Sequence, residues 1–112
     1  MMKIESIAKV GKDAVVNRVN GKTVINFNVA HNERYKNSDG DYVDKTTWIH
    51  CAWWTEKTDL AKYIKKGCTC YIEGKPETKT YKKDDGELQA QLHVRISVFS
   101  LITSPNVSSP NV

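Results

Sequence analysis

An Asn-Gly pair followed by a long alternating run constrains this chain more than any other feature. Asn20 and Gly21 both tolerate positive φ, which a two-residue hairpin turn requires. From Lys22 to Glu33 the side chains then alternate. Ile25, Phe27 and Val29 fall on one face, and Val24, Asn26, Asn28 and Ala30 on the other. A helix period does not fit this run. The first face is the better core candidate, and a β-hairpin opening on Asn20-Gly21 follows.

The rest of the chain continues in the same manner. Ile4–Val10 and Ala14–Val19 are Val- and Ile-rich and are broken at Gly11-Lys12-Asp13. The polar stretch from Arg34 to Asp44 reads as a long hairpin loop, and Lys45–Trp54 returns to strand. One helix is expected next. Thr58 caps it, Leu60, Ala61 and Ile64 form its apolar stripe, Lys65-Lys66 fill the last turn and Gly67 ends it. Cys68–Gly74 is a strand that Lys75–Lys83 extends. Asp85-Gly86 is a second turn signal, and Leu88–Ile102 is the final strand region. Three strands, a helix and two strands point to an all-β chain. Its expected form is a five-stranded Greek-key barrel of the OB type, with one helix between strands 3 and 4. The expected domain is residues 1–102, with 103–112 a short disordered Ser/Pro/Asn-rich tail.

Composition narrows the function classes. The chain has 112 residues, room for one core and too few for two ordinary domains. No apolar run reaches the roughly 18 residues a membrane span needs, and charges interrupt the N-terminus at once, so a cytoplasmic, nucleoid-associated location is the expectation. Three cysteines, Cys51, Cys68 and Cys70, make no disulfide framework, and reduced core thiols are expected. Cys68-Thr69-Cys70, with Cys51 and the nearby histidines, raises a zinc site only weakly, since zinc pairs favour two to four intervening residues. Asp39, Asp41 and Asp44 lack the ligand series and closing Glu of a calcium loop. There is no phosphate loop, no metalloprotease motif and no nucleophile motif. No enzyme, no metal and no cofactor are expected.

Net charge is +4, from 17 Lys+Arg against 13 Asp+Glu, which permits a nucleic-acid partner without requiring one. The distribution of aromatics is more telling. Tyr35 lies between Arg34 and Lys36, and Tyr81 lies in Lys79-Thr80-Tyr81-Lys82-Lys83. Trp48 and Trp54 are six residues apart and share a face of one strand, with Trp53 opposite in a buried or interface position. Exposed rings stack on any base at about 1–3 kcal/mol each, and adjacent cations hold the phosphates.

The run Trp48-Ile49-His50-Cys51-Ala52-Trp53-Trp54, then Tyr63-Ile64-Lys65-Lys66-Gly67 and Tyr71-Ile72-Glu73-Gly74, resembles the bacterial-type single-stranded DNA-binding proteins. Phe27-Asn28-Val29-Ala30, Tyr35-Lys36 and Thr78-Lys79-Thr80-Tyr81 fit the same pattern, and the resemblance covers residues 4–102. It implies an OB-fold homotetramer assembled from dimers that binds single-stranded DNA without sequence preference in replication, repair and recombination. The stacking rings it implies are Tyr35, Trp48, Trp54 and Tyr81. The basic positions that match are Lys36, Lys57, Lys65, Lys66 and Lys79; with Arg34 and Lys82 beside the tyrosines, they are the expected phosphate contacts. His50 stands where the family commonly has Arg. This chain departs from the pattern in three further places. The opening segment before Asn20-Gly21 is shorter than usual, and Ile49 stands where the family often has an interface His. The family's acidic C-terminal tip, which recruits replication and repair proteins, has no counterpart here, because no acid follows Glu87. The competing reading is an OB-fold accessory or protein-interaction module with weak DNA or RNA binding. Exposure of the four rings along one groove discriminates the two.

Overall fold

A computed structural model describes residues 1–103; of the expected tail, residues 104–112 lie outside them. The elements are β1 (Ile4–Val10), β2 (Val15–Val19), β3 (Lys22–Lys36), β4 (Tyr42–Trp54), a 3-10 helix (Thr58–Tyr63), β5 (Thr69–Lys82) and β6 (Leu88–Thr103). The strands form one sheet in the order β1-β5-β6-β4-β3-β2. β1 also pairs with β3, at Lys9↔Ala30 and Val10↔Val29, and this brings the sheet round on itself. β4 and β6 run parallel and every other pairing is antiparallel. β1 and β2 act as two halves of one bent strand, the first on β5 and the second on β3. With that pair counted once, the architecture is the five-stranded OB-type barrel.

Turn chemistry sets the register. Asn20 and Gly21 have φ of 52° and 79°, the double positive φ of a type I′ turn. The stretch expected as a long loop is mostly strand. β3 runs on to Lys36 and β4 starts at Tyr42, leaving only Asn37–Asp41 as the turn. There Asn37 Oδ1 accepts from the backbone N–H of Asp39 and of Asp41, and Gly40 takes φ 85°. This ribbon projects beyond the barrel with solvent on both faces, so it needs no apolar alternation. That is why its sequence reads as loop.

The expected α-helix is also corrected. Only Thr58–Tyr63 is helical, as a 3-10 turn; Lys57 rather than Thr58 precedes it, and no side chain caps it. The residues beyond it serve the β1–β2 bend instead. Ala14 N–H donates to the Ile64 carbonyl, Gly67 N–H to Val10, Val10 N–H to Cys68, and Lys66 N–H to Asp13 Oδ1. Those partners satisfy groups that a longer helix would have used internally. Ile64 is fully buried and plugs that end of the barrel.

The interior is lined by Ala8, Val10, Ile25, Phe27, Val29, Ile49, Cys51, Ile64, Cys68, Cys70, Ile72, Val94 and Ile96. Full burial of each large aliphatic side chain is worth about 1.5–3 kcal/mol. The expected core face of β3 is the observed one, although Val24 and Ala30 on its other face are covered as well. All three cysteines are free and buried. Burial pushes the Cys51 and Cys70 thiols up to about 12, so both stay protonated at neutral pH. Ile49 is 2 % exposed and belongs to this interior, so in the folded chain it is a packing residue rather than a surface interface residue. At Gly74 a Cβ would stand 2.1 Å from the Arg95 carbonyl oxygen, where β5 shifts register against β6. Only glycine allows that close approach.

Candidate nucleic-acid interface

The alternation that points Ile49, Cys51 and Trp53 inward turns Trp48, His50, Ala52 and Trp54 outward on β4. Register carries that outer face across the sheet. His50 pairs with His93 and Ala52 with Arg95 on β6; Asn28 on β3 pairs with His50. On β5, Glu77, Lys79 and Tyr81 pair with His93, Gln91 and Gln89. One continuous outer surface thus runs across β3, β4, β6 and β5.

Its rings are held in different ways. Trp48 is 52 % exposed, and its indole lies over Gly11, where a Cβ would come within 2.6 Å of the ring. The glycine that bends the first strand therefore also makes room for the indole. Tyr81 is exposed, and its hydroxyl donates to Gln89 Oε1 at 2.5 Å across the hairpin. Trp48, His50, Tyr81, Gln89 and Gln91 line one depression of about 520 Å³. A second, of about 490 Å³, contains Lys12, Asp13, Asn26, Asn28, His50 and His93. The two share His50, so they form one track. Asn28 Oδ1 in that track is buried and has no hydrogen-bond partner. Trp54 is half-buried at the far end, with the Arg95 guanidinium 5.8 Å from its ring centre. Trp53, expected to be buried or at an interface, is half-buried and stacks on Phe99 at 5.4 Å against the core.

The structure brings Trp48, Tyr81 and Trp54 onto one face but not Tyr35. Tyr35 is exposed, yet it sits opposite Val43 on the other face of the β3–β4 ribbon. The ring on the Trp48 face of that ribbon is Tyr42, which is 70 % exposed. Arg34 and Lys36 lie over it, at 5.8 and 6.0 Å from its centre, and Arg34 also pairs with Asp44 at 3.0 Å. Tyr42, His93 and Arg95 were not among the residues expected from sequence. Strand parity from Trp48 back to Tyr42 carries the first signal; the other two need the β4–β6 register.

The lysines divide into two groups. Lys36 and Lys79 lie on the aromatic face, whereas Lys82 occupies the opposite face of the β5–β6 hairpin from Tyr81. Lys57, Lys65 and Lys66 are exposed at the barrel end beside the 3-10 helix. Lys65 lies 3.7 Å from Asp13, which joins that end to the rim of the track. The cysteines face inward, away from His50 and His93. Among the described residues no group of three His, Cys, Asp or Glu side chains is placed to hold a metal ion.

The model of the single-strand binding protein family matches residues 1–102. The chain belongs to this family. A single-stranded DNA-binding protein of Neisseria meningitidis is 33 % identical over 86 residues, covering 75 % of this chain and 49 % of that protein. The mitochondrial single-stranded DNA-binding protein of Oryctolagus cuniculus is 33 % identical over 88 residues, 70 % of this chain and 60 % of that protein. The chain thus spans about half to three-fifths of the length of these relatives. Among solved structures, the Plasmodium falciparum SSB in complex with ssDNA superposes with a TM-score of 0.73 at 25 % identity, over 92 % of this chain and 94 % of that one. A small single-stranded DNA-binding protein from Streptomyces coelicolor shares the fold, with a TM-score of 0.73 at 14 % identity over 90 % of this chain and 94 % of that one.

Proposed function

We propose that this chain binds single-stranded DNA without sequence preference and protects it during replication, repair and recombination, as a binding protein and not as an enzyme. The observation that carries this reading is the shared track. Trp48 and Tyr81 project from different strands into one depression, and Trp54, Lys79 and Arg95 lie on the same outer face. Stacking takes any base, because every base has a π-face, and the cations meet phosphates whatever the sequence. Duplex DNA buries its base faces and cannot use the rings.

Among the expected stacking residues, Trp48, Trp54 and Tyr81 are proposed to contact bases along the track, with Tyr42 extending it onto the β3–β4 ribbon. Tyr35 contributes from the ribbon's other face. Lys36, Lys79 and Arg34 contact phosphates next to the rings. Lys57, Lys65, Lys66 and Lys82 act where the strand leaves the track. Assembly into a homotetramer belongs to the same proposal. Ile7 on β1, opposite Tyr71, and Val98 on β6, opposite Glu73, are both exposed on the outer face of β5 and offer an apolar contact between copies. A cytoplasmic, nucleoid-associated location accords with this role.

Titration of the intrinsic tryptophan fluorescence with oligo(dT) and with a matched duplex tests the reading. Quenching by the single strand, at lower concentrations than by duplex, is expected. An equal response to both, or none to either, contradicts it.

A further inference from the structure

The middle of the track holds a feature that the stacking reading leaves unused. His50 and His93 are register partners on the parallel pair β4–β6, and both project outward. Their rings stack at 4.9 Å between centres and 19° between planes. Both line the depression that also contains Asn26 and Asn28. Resting on the single-strand reading, we propose that this imidazole pair is itself a nucleic-acid contact: a flat platform for a base when neutral, and a phosphate-binding cation once it takes up a proton.

The surroundings bear on the charge of His93. His93 Nε2–H donates to Gln91 Oε1 at 3.1 Å. The fixed charges around it are Lys79 and Glu77 on β5, Arg95 on β6, and Lys12 and Asp13 in the β1–β2 bend; β3 contributes only Asn26 and Asn28. Partial burial, then His50, then Lys79 push the His93 pKa below its ordinary value, and Glu77 opposes them. In the free protein His93 is therefore neutral at pH 7. A bound polyanion adds negative charge beside the ring and raises its pKa. Binding then takes up protons, and affinity must rise as pH falls from neutrality toward the free-state pKa. Each unit by which the strand raises that pKa is worth up to tenfold in affinity.

The test is oligo(dT) affinity between pH 8.0 and 5.5 at constant salt, since thymine does not take up a proton in this range. An increase of about tenfold toward pH 5.5 is expected. H93Q and the H50Q/H93Q double variant are expected to change less than twofold over the same range. In the unmodified protein, the NMR titration of the His93 ring should move to higher pH when oligo(dT) is bound. A flat profile with tight binding, an equal rise in the double variant, or an unmoved His93 titration overturns the inference and leaves the single-strand reading standing. Absence of binding at every pH overturns both.

Discussion

The two faces of β4 carry opposite chemistry on one backbone. Inward, Ile49 and Cys51 are buried and Trp53 packs on Phe99. Outward, Trp48 is half in solvent, His50 stacks on His93, and Trp54 sits beneath Arg95. A period of two residues thus separates what holds the barrel together from what is proposed to meet the DNA strand. The separation implies that stability and binding can be changed one at a time, by moving a single position along the strand.

The largest effect is expected inside. Ile72→Ala should lower unfolding free energy by about 2–5 kcal/mol in urea titrations, with oligo(dT) affinity of the folded fraction unchanged within twofold. An equal loss of affinity would show that the faces are coupled. The outer counterpart is Trp48→Ala. It should weaken oligo(dT) binding by about 1–3 kcal/mol in a fluorescence-anisotropy assay, while the urea midpoint barely moves. On the ribbon, Tyr42→Ala should cost about 1 kcal/mol of binding and Tyr35→Ala less than half as much, because only Tyr42 shares the Trp48 face. The reverse order would mean that the strand follows the other side of the ribbon. The smallest effect belongs to Lys79→Gln. It should reduce the slope of log K against log salt by about 0.7, the value of one phosphate contact to a single strand.

Much of the barrel was legible in the sequence. Ile25, Phe27 and Val29 alternate cleanly because one face of β3 is buried, and Asn20-Gly21 declares its turn through φ. The helix was misread because Leu60, Ala61 and Ile64 have helical spacing, while tertiary hydrogen bonds from this segment to the β1–β2 bend end it after Tyr63. The ribbon was misread because strands wetted on both faces carry no apolar period. Trp48 and Trp54 were found on one face because they share a strand. Tyr35 was placed with them by its basic neighbours, but its face depends on the register Tyr35↔Val43, which composition does not encode. His93 and Arg95 join the track only through the parallel β4–β6 pairing, a contact between segments some forty residues apart. The family match names what relatives bind; which side chains of this chain do the binding remains a matter of register and exposure.

Photocrosslinking tests the central claim most directly. Oligo(dT) substituted with 5-iodouracil should be bound to the full chain, irradiated, digested and mapped by mass spectrometry. Crosslinks concentrated on Trp48, Tyr81, Trp54 and Tyr42 are the predicted result. Crosslinks concentrated on Tyr63, Tyr71 or Ile7, with the outer face of β4 unmarked, would contradict it.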